Sequence, residues 1–171
     1  MQEIEKAGVE SASRACWQEG GDWNCTQHMG NVLVFDFANW RYPTDFKRSV
    51  YWAYKSYAEM TGRFAGVSVS NGIVAVASTD AATRKGYVLL GNVGSSTSFS
   101  VTLNAVDVAP FYRAGFPVHV EVQRIPNTEA NALPAPVTIQ QAEIDPVNNS
   151  IVLTFTGVSP YDAYFVRLSD S

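Results

Sequence analysis

Residues 150–169, SIVLTFTGVSPYDAYFVRLS, carry the reading that decides the fold. In the first half Ile151, Leu153 and Phe155 alternate with Val152, Thr154 and Thr156, a period of two, which belongs to a strand with two distinct faces. Gly157 to Asp162 supplies turn residues, and a second apolar and aromatic run follows. Working outward, the same texture recurs in FAGVSVS, IVAVAST, GYVLLGN, SFSVTLN, PVHVEVQRI and PVTIQQAEI. Turn signals at Ser70-Asn71-Gly72, Thr83 to Gly86, Gly94-Ser95-Ser96 and Asn148-Asn149 separate these runs. About eight short strands with no helix between them predict a mainly β chain, an antiparallel β-sandwich from Arg63 to Ser171. Gly91 to Ser96, GNVGSS, reads as a hairpin turn.

Before residue 62 the character differs. QEIEKAG reads as a helix end and Val9 to Trp17 as strand-like. A polar, Gly-rich loop follows from Glu19 to Gly30, then the apolar run NVLVFDFA over 31–38. One amphipathic helix is expected next, capped by Thr44 or Asp45 and packed on the sandwich through Val50, Ala53, Tyr54, Tyr57 and Ala58. Gly62 is placed to stop it in a left-handed conformation. The expected division is therefore 1–62 and 63–171.

Composition narrows function. The chain has 171 residues, of which 46% are apolar and 16% charged, with a net charge of −4. No block of like charge points to nucleic acid or an anionic membrane surface, and no apolar run has the length of a membrane span. The opening residues lack the apolar core of an export signal. Cys16 and Cys25 are compatible with two thiols or with a disulfide, and the polar loop between them favours the disulfide. Two cysteines without clustered histidines do not make a metal site. Asp80, Asp107 and Asp145 read as turn residues rather than calcium ligands, and no cofactor is expected.

Two segments resemble a known clan. SVYWAYKSYAEMTGRFAGVSV is similar to the last helix of a (β/α)8-barrel glycoside hydrolase running into its C-terminal β-sandwich, and SIVLTFTGVSPYDAYFVRLSDS to that sandwich's closing hairpin. The resemblance is to clan A-type enzymes of the xylanase, arabinofuranosidase and β-xylosidase kind. It implies a secreted or periplasmic setting and polysaccharide or oligosaccharide as partner. It implies also that VESASRACWQE matches the last barrel strand, with Trp17 at the sugar-stacking position. Glycosidic hydrolysis needs two facing carboxyl groups, which such enzymes take from earlier barrel strands, and a whole barrel needs roughly 250 residues. The expectation is a chain without catalytic residues of its own: an accessory module, or a structural fragment that pairs with a catalytic barrel domain or a second copy of itself.

Sugars stack on flat aromatic faces while carboxylates and amides hold their hydroxyls. Trp17, Glu19, Asp22, Trp23 and Asn24 concentrate such groups in the Gly-rich loop, and Trp40 with Tyr42 forms a second patch. Plant-type β-glycan, xylan for example, is the expected ligand class. The plainer reading has the tryptophans covering the seam between helix and sandwich, and for Trp40 and Trp52 it is the better one. Glu19 and Asp22 as the acid pair of a small enzyme is a further alternative, with no fixed geometry to support it. His119, flanked by Val118 and Val120, should face solvent from a strand.

Overall fold

The computed structural model describes residues 47–69, 72–129 and 131–171. Helix α1 (Ser49–Glu59) leads to β1 (Arg63–Ala65), β2 (Ile73–Asp80), β3 (Lys85–Asn92) and β4 (Ser98–Leu103). A 3-10 turn (Val106–Val108) precedes β5 (Val118–Ile125), β6 (Val137–Ile144), β7 (Ile151–Thr156) and β8 (Ala163–Asp170). Six strands form one antiparallel sheet in the order β1-β2-β3-β8-β5-β6, and β4 with β7 forms a two-stranded ribbon. The expected β-sandwich is therefore what the chain forms, with unequal layers.

The ribbon lies on one face of the large sheet, and the alternation of residues explains why. Ile151, Leu153 and Phe155 of β7 point inward, and Phe99, Val101 and Leu103 of β4 join them. They meet Val118, Val120 and Val122 of β5, all without solvent exposure, and Tyr164, Val166 and Leu168 of β8. Each such side chain taken out of water contributes roughly 1.5–3 kcal/mol before conformational entropy is counted. β3 and β8 are buried on both faces, which is why YVLL and YFV read as continuous apolar runs.

What covers their second face is α1. Phe165 and Tyr87 stack there with ring centroids 5.9 Å apart, beside Val76, Leu89 and Met60, and Tyr57 packs on the edge of the cluster. The helix is held at both ends. At its start the Ser49 hydroxyl donates to the Pro126 carbonyl at 2.6 Å and accepts the Thr128 N–H at 3.0 Å. Trp52 Nε1 donates to the Leu133 carbonyl at 2.7 Å. At its finish Arg167 forks onto both oxygens of Glu59, at 2.5 and 2.8 Å, and reaches Glu121 at 2.9 Å. Gly62 then turns the chain with φ +85°, as expected.

Four expectations need correction. The helix starts at Ser49, beyond the anticipated cap at Thr44 or Asp45. Lys47 accepts a bond from the Leu133 N–H and Arg48 is extended (φ −90°, ψ 168°), so the backbone is not helical at these two positions. The face turned to the sheet is also rotated: Ala58 is exposed and Ser56 buried, because a small residue lets the helix axis approach the sheet closely. FAGVSVS contributes only β1, since pairing with β2 stops at Ala65. Gly91 to Ser96 is a crossover: β3 lies in the large sheet and β4 in the ribbon, so the turn links two layers.

Candidate functional site

The sugar-binding candidates Trp17, Glu19, Asp22, Trp23, Asn24, Trp40 and Tyr42, and the cysteines Cys16 and Cys25, lie outside the described residues. What the structure does show is the body to which they are attached and the polar groups it contains.

The most organised of these groups sits where β3 ends and β8 begins. Pro160 stiffens the turn, Tyr161 adopts φ +64°, and Asp162 turns inward with 1% of its surface exposed. Its Oδ1 accepts the Asn127 N–H at 2.8 Å, and its Oδ2 accepts Arg124 Nε at 2.8 Å and Nη2 at 2.7 Å. Tyr164 lies beside it, and burial, followed by the Asp162 charge, pushes the phenol above its ordinary pKa. Asn92, fully buried, donates to the Ser96 and Ser159 carbonyls at 2.9 and 3.1 Å. Two buried polar side chains thus lock three loops into one corner, each with its hydrogen-bonding capacity used.

Three carboxylates outside that corner titrate below their usual range, each for a visible reason. Glu59 is held down chiefly by its hydrogen bonds to Arg167, Asp80 by the Thr61 hydroxyl and the turn amides of Ala82 and Thr83, and Glu143 by Ser171 and His119. His119 is on β5 with 39% of its side chain exposed, 2.7 Å from Glu143, as the alternation predicted. Asp80 serves its turn, and no group of three or more potential metal ligands occurs among the described residues. Lowered carboxylates contribute stability above their unfolded pKa values, 4.5 for Glu and 3.8 for Asp, and that contribution is lost as pH falls through the lower folded values. Urea midpoints should therefore hold between pH 7 and about 5 and decline below about 4.5, with Glu59→Gln showing a shallower decline. An identical decline in the variant would remove Glu59 from the account.

Because the ribbon is narrower than the sheet, a cleft opens on each side of it. The larger, about 500 Å³, lies between β2 and β4; its lining carries no charged side chain. The smaller, about 270 Å³, lies between β6 and β7 against the Asp162 corner and includes Arg124, Gln140, Thr154 and Thr156. Reasoning from the sequence missed this cleft. The available signal was parity: with Val118, Val120 and Val122 inward, Arg124 falls on the inward side too.

The described residues define an antiparallel β-sandwich carrying one helix on its outer face. No protein-family model and no curated protein sequence matches the chain. Among solved structures it is similar to N2152 from Neocallimastix frontalis, with a TM-score of 0.65 and 23% identity over 73% of this chain and 31% of that one. It is also similar to the arabinose-bound α-L-arabinofuranosidase MgGH51, with a TM-score of 0.53 and 16% identity over 86% of this chain and 22% of that one. A family 51 α-L-arabinofuranosidase from Thermotoga petrophila RKU-1 matches at a TM-score of 0.37, too low to bear weight. At these identities the likeness establishes the fold alone, a β-sandwich. The chain spans less than a third of the length of either of the first two structures.

Proposed function

We propose that the chain is a carbohydrate-associated β-sandwich module from a glycoside hydrolase, without catalytic machinery of its own, that binds plant-type β-glycan by aromatic stacking. The observation that carries this reading is the clamp on α1. Ser49 and Trp52 fasten the start of the helix to the β5–β6 loop, and Glu59 fastens its end to Arg167. The aromatic-rich segment that precedes α1 is therefore joined to an ordered body rather than to a loose tail of it. Among the described residues, the carboxylates Glu59, Asp80 and Glu143 are each tied to a structural partner: Arg167, the Thr61 turn, and Ser171 with His119. Residues 1–62 descend, on this reading, from the end of a catalytic barrel and 63–171 from its sandwich, in a secreted or periplasmic protein. Although α1 belongs to the first stretch, it packs on the second.

A purely structural module, partnered by a catalytic barrel or a second copy, is the second reading. Its support is that the exposed aromatic rings among the described residues, Phe64, Phe116 and Tyr161, sit on separate elements and form no shared platform. Affinity electrophoresis against xylan, arabinoxylan, β-glucan and mannan separates the two. Retardation by one of these glycans is expected, and Trp17→Ala and Trp23→Ala should each weaken it about tenfold or more. Unretarded migration in every glycan would leave the structural reading standing.

A further inference from the structure

The small cleft between β6 and β7 combines three features that neither the packing of the sandwich nor the Trp17–Trp23 platform explains. Polar side chains occupy core-facing positions: Gln140 lies opposite Val122 and Arg124 opposite Tyr164, both inward partners. β6 is bulged at the same place, because the pairing shifts between Val122 and Gln123 and Ile139 has no partner on β5. Bulges re-aim side chains beside binding sites, and both Ile139 and Gln140 line the cleft. Thirdly, hydrogen-bonding capacity is left over. Arg124 spends Nε and Nη2 on Asp162 and Ser159, leaving Nη1, while the Gln140 amide and the Thr156 hydroxyl make no bond among the described residues.

We propose that this cleft binds a single neutral sugar ring. The choice of ligand follows from charge, size and surface. Asp162 neutralises Arg124 at 2.7 Å, so the site offers fixed donors without net positive charge, which suits hydroxyl groups better than phosphate or carboxylate. Its volume of about 270 Å³ falls just under the range for drug-sized ligands and accommodates one ring with its hydroxyls. Ile139, 49% exposed, supplies apolar surface for the C–H face of a ring above a floor closed by the buried Phe155 and Tyr164, while Arg124, Gln140 and Thr156 supply donors and acceptors. The Asp162 corner holds Arg124 in place before any ligand arrives, which reduces the ordering cost of binding.

The test is titration of the 171-residue chain with xylose, arabinose and glucose, followed in amide correlation spectra, with sodium sulfate as a parallel titrant. Saturable shifts confined to Ile139–Gln140 and Thr154–Gly157 are expected for at least one sugar, with millimolar affinity. Gln140→Leu and Thr156→Val should each weaken binding about fivefold or more without moving the urea midpoint. Trp17→Ala should leave these shifts unchanged, so loss of the platform and loss of the cleft are read separately. Shifts absent up to about 50 mM sugar, undiminished in both cleft variants, or produced by sulfate instead would each overturn the proposal.

Discussion

Replacing Asp162 with alanine is expected to lower the unfolding free energy by about 3 kcal/mol, measured by urea denaturation at pH 7. The carboxylate is 1% exposed and holds the Arg124 guanidinium and the Asn127 N–H. Its removal leaves a cation facing an emptied pocket and a backbone donor unpaired. The figure sits at the lower end of the range for broken buried pairs because Arg124 keeps 34% of its side chain in water. Asp162→Asn should cost less, since an amide oxygen still accepts from Asn127. A double-mutant cycle with Arg124→Ala should return a coupling of more than about 1 kcal/mol. A loss below about 1 kcal/mol for Asp162→Ala would mean that the corner is ordered by something else. Tyr161 offers a second readout. Its left-handed backbone, unfavourable for a residue with a Cβ, is maintained by a turn that Asp162 closes from inside.

Gly62→Ala is expected to cost about 3 kcal/mol or more through a different mechanism. A Cβ at this position would sit 2.1 Å from the Thr79 carbonyl oxygen on a backbone with φ +85°. The conformation alone costs roughly 1–2 kcal/mol for a residue with a side chain, and relieving the clash adds roughly 1–3 kcal/mol of displaced packing. What must move is either β2 or the end of α1, where Thr61 bonds Asp80 and Glu59 meets Arg167. Gly66→Ala is the control, since a Cβ there meets nothing within 4 Å and its φ is not in the left-handed range. Its cost should stay below about 1 kcal/mol. Equal losses at the two glycines would refute the steric account.

Strand identity was legible because burial imposes parity. β7 alternates strictly and β5 does so as far as Val122, and even the doubly buried β3 and β8 announce themselves by short apolar runs bounded by turns. Layer assignment was not legible. Gly91 to Ser96 has the chemistry of a tight turn, but turn chemistry does not say whether the next strand rejoins the same sheet, and here Ser98–Leu103 changes layer. The start of α1 escaped because Thr44 and Asp45 are good caps locally, whereas the extended pairing of Lys47 with Leu133 is set by a loop 86 positions away (133 − 47). Arg124 and Gln140 were passed over as ordinary polar residues. Only the register, which places both on the inward side, shows that they interrupt a core.

The position of β8 has a consequence for how the chain reaches this state. Residues 163–170 join β3 to β5, so the strand latest in sequence is the seam of the large sheet. Until it is delivered, β1-β2-β3 and β5-β6 are two separate half-sheets, each presenting an open inner border. A nascent chain synthesised as far as Pro160 holds seven of the eight described strands and none of the one that unites the sheet. Closure of the large sheet therefore waits for β8, and an interruption near Tyr161 would release a species with two adhesive edges and no seam to close them.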